Sequence, residues 1–168
     1  KKISEDENTV IYNLSRLGIP LLEIGTAPEL KDPEHVKEVA SIIGMILQST
    51  GSVNRGIGSV RQDLNVSIKD HKRIELKGFQ DLRSIQKVIE IEVIRQLQNK
   101  NEESHVRKVG PDFTTSYLRP MPTSSRLYPD TDIPHIQITA DFIKTIEIPE
   151  LITERALNFE KKYNIPSQ

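Results

Sequence analysis

Two short segments of this chain alternate between apolar and polar residues, which predicts two neighbouring strands. Successive side chains of a strand point to opposite faces, so each segment would bury its apolar side. Residues 60–68 present four polar positions on the other side: Arg61, Asp63, Asn65 and Ser67. Residues 73–77 present three: Arg73, Glu75 and Lys77.

A hairpin between these two strands has a constrained register. The polar faces coincide only if odd-numbered residues pair with odd-numbered residues, because a slip of one residue turns a strand over. A loop around residues 69–71 meets this condition and places Asn65 opposite Glu75 and Asp63 opposite Lys77. One sheet face is then predicted to carry five polar side chains: Arg61, Asp63, Asn65, Glu75 and Lys77.

The remaining pattern predicts three helices and further strands. Asp32 suits a helix N-cap, Pro33 the first helical position and Gly51 the end of that helix. Apolar residues at helical spacing predict a second helix at about residues 82–98 and a third at about 149–163. Weak alternation at residues 9–14 and an apolar run at residues 20–24 favour two more strands, the second one buried. The predicted fold is α+β, a mixed or antiparallel sheet with flanking helices.

Composition narrows the class of protein. The 168 residues are 36% hydrophobic, enough for a core, and the net charge of −1 argues against a generally basic nucleic-acid binder. Contact with a polyanion would need local clusters, such as Arg55 with Arg61 or Arg119 with Arg126. The lack of cysteine excludes thiolate catalysis and fits a reducing cytoplasm, and no apolar run reaches membrane-spanning length. Because the chain starts without Met, we expect a fragment.

The glycine-rich loop before the first strand has two interpretations. Gly56 and Gly58 permit positive φ and close approach of a ligand to the backbone, so the loop could bind an anion. It leads into a strand, however, whereas phosphate-binding fingerprints lead into a helix. An ordinary turn is the alternative.

The carboxylates also have two interpretations each. On the predicted polar face, carboxylates could hold Mg²⁺ while Arg and Lys neutralise phosphate, or all of them could form solvated cross-strand ion pairs. Glu23 lies within an apolar run and could be a metal ligand or simply reach water at a strand end. The loop of residues 118–134 brings together Arg126, Tyr128, Asp130 and Asp132, which could bind a cation or cap turns.

Four ordered motifs together resemble the GatB/GatE family of tRNA-dependent amidotransferases, and their details favour its archaeal branch. The resemblance covers about residues 10–134 and rests on the segments RLGIPLLEIGTAPEL, STGSVNRGIGSVRQDLNVSI, RIELKGFQDLRSIQKVIEIEVIRQ and RPMPTSSRLYPDTDIP. It implies an enzyme subunit that uses ATP and Mg²⁺ to phosphorylate the γ-carboxylate of Glu attached to tRNA(Gln). Ammonia from a partner, an asparaginase-like amidase, then displaces the phosphate.

The resemblance also implies roles for individual residues. Glu23 and Glu75 match acidic positions at or near the Mg²⁺ ligands. Arg61, Asp63, Asn65 and Lys77 match the catalytic sheet face. The positions expected to meet ATP are Arg55, Gly56, Gly58, Arg126 and Tyr128.

Compared with the family, three segments are expected to be missing here: an N-terminal segment, an insertion resembling part of aspartyl-tRNA synthetase near residues 101–120, and the tail domain. Residues 1–140 would form part of the catalytic cradle domain, and residues 141–168 would begin a helical region. A non-catalytic module with the same fold, binding tRNA or protein, is the alternative function.

Overall fold

The computed structural model describes residues 2–15, 18–54, 56, 58–121, 134–164 and 166, and every structural statement below concerns these residues. The strands are β1 (Lys2–Glu5), β2 (Val10–Tyr12), β3 (Leu64–Val66), β4 (Ile74–Lys77), β5 (His105–Val109) and β6 (Thr115–Pro120). The helices are α1 (Pro33–Ser49), α2 (Ile85–Gln98), α3 (Ala140–Lys144) and α4 (Ile152–Tyr163). The α+β prediction is confirmed.

The central feature is a four-stranded mixed sheet in the order β3-β4-β5-β6. The hairpin β3–β4 is antiparallel and pairs Asn65 with Glu75, so the predicted register is confirmed. Strands β4 and β5 are parallel, and α2 makes the crossover that such a pair requires. Strand β6 returns antiparallel to β5. A separate two-stranded sheet, β1–β2, lies near the start of the chain.

The hydrophobic core lies between one face of the sheet and α2. Val66, Ile74 and Leu76 from β3 and β4 pack with Ile85 and Val88 from α2. Helix α1 adds partly buried residues to this cluster and packs along α2. The even-numbered residues of β3 and β4 are therefore the buried ones, which leaves the odd-numbered residues on the opposite face.

Helix α1 shows why the sequence signals at its ends were reliable. The Asp32 carboxylate accepts hydrogen bonds from the backbone N–H of Glu34 at 2.8 Å and of His35 at 3.1 Å. These are N–H groups that have no partner within the helix. At the other end Gly51 adopts φ +68° and donates its N–H to the Gln48 carbonyl, as the predicted stop requires.

The prediction of a buried strand at residues 20–24 was wrong. The segment has no regular secondary structure, and Leu21 and Leu22 are each 80% exposed. An apolar run becomes a strand only where a neighbouring strand accepts its backbone hydrogen bonds, and the described chain provides none here. Glu23 is correspondingly exposed.

Strands β5 and β6 were not predicted. Residues 99–103 do form the expected polar break, but residues 105–120 fold into a hairpin that completes the sheet. The assignment of residues 118–134 to a loop was therefore wrong for residues 118–120, which belong to β6; residues 122–133 lie outside the described residues. The predicted strand at residues 60–68 is also shorter, since only Leu64–Val66 pairs.

The chain outside the sheet and its two helices is exposed. Residues 134–150 have no partly buried position, and α4 contacts the rest mainly through α1, where the Ile152 N–H donates to the Ser49 hydroxyl at 3.0 Å. None of the described helices is both long and apolar enough to cross a membrane.

Candidate functional site

The sheet face opposite α2 carries two aligned rows of side chains, which we call the polar sheet face. One row runs across all four strands: Asn65, Glu75, Val106 and Arg119. The next row holds Lys77, Lys108 and Ser116. Paired residues on neighbouring strands share a face, so the register alone places these groups side by side. The face is wider than the sequence indicated, because β5 and β6 extend it.

Lys77 lies at the centre of the polar sheet face. Its ammonium group contacts the Asp63 carboxylate at 2.5 Å and the Glu75 carboxylate at 2.5 Å. Asp63 precedes β3 and reaches the face from its edge. The structure thus brings together three of the predicted site residues around one atom, and the side chain of Glu75 is only 17% exposed.

The electrostatics of this cluster favour the charged lysine. Partial burial lowers the pKa of Lys77, but hydrogen bonds and charge attraction from Asp63 and Glu75 outweigh it, so the pKa lies above its ordinary value of 10.5. Lys77 therefore stays protonated at neutral pH. Its charge offsets only one of the two carboxylates, which leaves a local negative charge at this end of the face.

The donor set can be compared with what Mg²⁺ needs. Mg²⁺ prefers oxygen ligands and usually binds through one or two carboxylates, with phosphate oxygens and water completing its shell. Asp63 and Glu75 already converge on a single cation, which fits that use. No group of three or more His, Cys, Asp or Glu side chains with metal-site geometry occurs in the described part of the chain. A site built from protein ligands alone is therefore not formed by these residues.

Other predicted site residues lie away from this cluster. Arg61 precedes β3, is exposed, and forms no ion pair with a described residue. Glu23 is exposed in the irregular segment before α1 and makes no hydrogen bond to the described part of the chain. The cluster around Lys77 is therefore formed without either of them.

The glycine-rich loop is a turn that closes on itself. Gly56 and Gly58 adopt φ +111° and +80°, conformations that side chains rarely allow, as predicted. The Ser59 N–H and hydroxyl both bind the Gly56 carbonyl, at 3.3 and 2.7 Å. This geometry is that of the ordinary turn alternative. Arg55, Arg126 and Tyr128, together with Asp130 and Asp132, lie outside the described residues.

Sequence reasoning missed the contribution of β5 and β6 to the face. Lys108 lies beside Lys77 and opposite Ser116, while the sequence indicated Arg119 only as a local positive charge. A signal existed: β4 and a helix of crossover length are followed by residues 105–109, which contain Val106 and Val109. A βαβ unit would have predicted a strand there.

A second charged cluster lies on the opposite, α2-facing side of the sheet, and we call it the Glu92 network. Arg95 donates two hydrogen bonds to the Glu92 carboxylate, at 3.0 and 2.7 Å, and Thr115 donates another at 2.9 Å. Gln96 donates to Glu92 at 3.1 Å and to the Val66 carbonyl at 3.2 Å. Arg107 donates to the hydroxyl and to the carbonyl of Thr115. Glu92 is completely buried.

Comparison with known proteins assigns the fold to a family. A model described as the GatB/GatE catalytic domain matches residues 1–144, most of the chain. The chain belongs to the GatB/GatE family. The resemblance expected from the four motifs is therefore confirmed, and the mixed sheet with its helices is consistent with this catalytic domain.

Curated GatB/GatE relatives include archaeal proteins named as the GatE subunit of glutamyl-tRNA(Gln) amidotransferase. The Archaeoglobus fulgidus protein is 28% identical over 293 positions, covering 96% of this chain and 48% of the relative. The Methanosarcina barkeri protein is 28% identical and covers 95% and 47%. The Methanocaldococcus jannaschii protein is 60% identical over 97 residues, covering 58% and 15%.

The chain spans about half the length, or less, of these relatives. The A. fulgidus alignment runs over 293 positions although the chain has 168 residues, so the relative carries internal residues that have no counterpart here. This agrees with the expected lack of an inserted segment.

Proposed function

We propose that this chain supplies the catalytic sheet of a tRNA-dependent amidotransferase that converts Glu-tRNA(Gln) to Gln-tRNA(Gln). Membership of the GatB/GatE family and relatives named for this activity support the proposal. The observation that carries it is the convergence of Asp63 and Glu75 on Lys77 in the polar sheet face. Carboxylates beside fixed cations are what the transfer of a phosphoryl group needs.

The proposed reaction has two steps. An oxygen of the Glu γ-carboxylate attacks the γ-phosphorus of ATP, which forms an acyl phosphate and releases ADP. Ammonia then attacks the acyl carbon, phosphate leaves, and the nitrogen loses a proton to give the amide. Activation is needed because a carboxylate is a poor acyl donor, and the covalent intermediate divides one difficult step into two.

The residues of the polar sheet face would bind and orient the reactants. Asp63 and Glu75 would hold Mg²⁺, which neutralises charge on phosphate oxygens when bound. Lys77 would keep the two carboxylates in position and balance their charge. Asn65 and Arg61 would donate hydrogen bonds to the reacting carboxylate or phosphate.

Further assignments in the proposal rest on the family resemblance alone. They are Glu23 as a further acidic ligand and Arg55, Gly56, Gly58, Arg126 and Tyr128 as contacts to ATP. The partner that releases ammonia would be the asparaginase-like amidase of the complex, and the complex would work in the cytoplasm, to which the lack of cysteine is suited.

The test uses the complete enzyme with its amidase partner. Glu75→Gln and Asp63→Asn should each lower ATP-dependent formation of Gln-tRNA(Gln) by about 100-fold or more, the scale seen when one stabilising group is removed from an active site. Glu23→Gln tests the remaining acidic ligand in the same assay. Hydrolysis of the amide donor by the partner should not change. Glu90→Gln, an exposed change on α2, is the matched control.

Two results would contradict the proposal. Full transamidation in both Glu75→Gln and Asp63→Asn would exclude the cluster as the site. If the wild-type enzyme has no Mg²⁺-dependent affinity for ATP and forms no acyl phosphate on Glu-tRNA(Gln), the alternative of a non-catalytic binding module would replace the enzyme.

A further inference from the structure

The side chain of Lys108 crosses the end of β4 at a glycine. Gly78 directly follows β4 and has φ +93°. A Cβ atom at Gly78 would lie 3.3 Å from Cγ of Lys108 and 3.7 Å from the Val109 carbonyl oxygen. Because Gly78 has no side chain, the aliphatic part of Lys108 can pass close to the backbone. The lysine is thus held near the carboxyl ends of the parallel strands β4 and β5.

An open cleft lies at this point. Its volume is about 440 Å³, and it is lined by Gly78, Lys108, Val109, Gly110, Pro111 and Ser116. Ser116 stands opposite Lys108 in the β5–β6 pairing, which brings a hydroxyl group next to the lysine side chain. Crevices beyond the carboxyl ends of parallel strands are common ligand sites in sheets that also contain helical crossovers.

The charges of the polar sheet face are divided between its two ends. At the β3–β4 end, Lys77 is bound by two carboxylates. At the β5–β6 end, Lys108 and Arg119 form no ion pair with any residue that the structure describes. A ligand that carries both a divalent cation and phosphate groups would match this division. A bare polyanion would instead be repelled by Asp63 and Glu75.

We propose that the cleft over Gly78 binds a phosphate group of a magnesium-bound oligophosphate chain, with Lys108 as the cationic contact and Ser116 as a hydrogen-bond donor. The inference rests on the proposed function in one respect, since a nucleotide would be the natural source of that chain. It adds a subsite on β5 and β6 to the carboxylate cluster on β3 and β4.

The test titrates magnesium tripolyphosphate into the ¹⁵N-labelled 168-residue chain and follows backbone amide signals by NMR. The amides of Gly78, Gly110 and Ser116 should shift. Lys108→Gln should weaken the affinity on the order of tenfold, the scale of one charge-assisted hydrogen bond. Lys87→Gln removes the same charge from an exposed position on α2 and should leave the affinity unchanged.

Gly78→Ala gives a second, independent test, because a Cβ there would displace Lys108 without altering any charge. It should weaken binding while the spectrum keeps the dispersion of a folded protein. Equal affinity of wild type and Lys108→Gln, or shifts confined to other regions, would overturn the inference.

Tripolyphosphate binding requires neither tRNA nor transamidation, so the two proposals can fail separately. Binding that depends on Lys108 in a protein that forms no acyl phosphate would uphold the subsite and refute the proposed function. An active enzyme whose chain binds tripolyphosphate independently of Lys108 would do the reverse.

Discussion

The two faces of the central sheet each carry a charged cluster, and the clusters differ in how completely their charges are paired. In the Glu92 network every ionised group has partners, and Glu92 receives hydrogen bonds from three side chains while completely buried. On the polar sheet face Lys77 is paired, whereas Lys108 and Arg119 have no ion pair within the described chain.

This difference separates a structural role from a binding role. A buried charge must be satisfied by the protein itself, because burying it unpaired costs several kcal/mol. A binding site, by contrast, needs donors and charges that are free to meet a ligand. The Glu92 network therefore joins α2 to β3 and β6, and the polar sheet face is the side available for chemistry. Measurements of stability can break or sharpen this contrast.

The largest effect is expected at Glu92. Glu92→Gln should lower the free energy of unfolding by about 3–5 kcal/mol, because it leaves Arg95 and Arg107 without their buried partner. Urea denaturation followed by circular dichroism measures this change. A loss that leaves the chain unfolded in buffer also agrees with the prediction.

Glu90→Gln on the same helix is the control, since Glu90 is exposed. It should change stability by less than about 0.5 kcal/mol. If the two variants unfold at similar urea concentrations, the Glu92 network is not what joins α2 to the sheet.

The second prediction concerns acid. Burial raises the pKa of Glu92, but hydrogen bonds from Arg95, Gln96 and Thr115 outweigh it, so its pKa lies below the ordinary value of 4.5. Its stabilising contribution is thus fully present above pH 4.5 and is lost as the pH falls through the folded-state pKa.

Wild type should therefore lose its advantage over Glu92→Gln as the pH falls from about 7 to below 4.5. Asp81 and Asp112, whose pKa values are also lowered, are present in both proteins and do not alter the difference. Urea denaturation of the two proteins along this pH series measures it. A difference that stays constant with pH would show that the Glu92 carboxylate gains nothing from its partners.

The smallest effect is expected at the exposed ion pair between Lys72 and Glu103. The Lys72 ammonium lies 2.6 Å from a Glu103 carboxylate oxygen, but the two side chains are 57% and 81% exposed. Lys72→Met should therefore change the free energy of unfolding by less than about 0.5 kcal/mol. A loss comparable to that of Glu92→Gln would mean that burial does not decide the strength of these pairs.

Part of the site was predictable because local rules fix it. Odd-to-odd pairing of β3 and β4 follows from the two-residue period of a strand, so Asn65 beside Glu75 and Asp63 beside Lys77 could be stated in advance. The ends of α1 followed in the same way from Asp32, Pro33 and Gly51. The four motifs also indicated the GatB/GatE family correctly.

The segments that failed depend on partners distant in the chain. Residues 20–24 have the composition of a buried strand but no described strand beside them, and residues 105–120 form a hairpin only because β4 offers a parallel edge. A polar residue on a buried helix stripe, such as Glu92, likewise has meaning only once Arg95, Arg107 and Thr115 surround it.

The sequence by itself determined the α+β class, the main helices, the β3–β4 register and the family, because periodicity, capping and motif order are properties of local segments. Only the tertiary structure decided that β5 and β6 widen the polar sheet face, that Lys108 crosses Gly78, and that Glu92 is buried and paired. Each of these depends on which strand edges and side chains meet across the fold, and the free energy of those contacts is not written in any single segment.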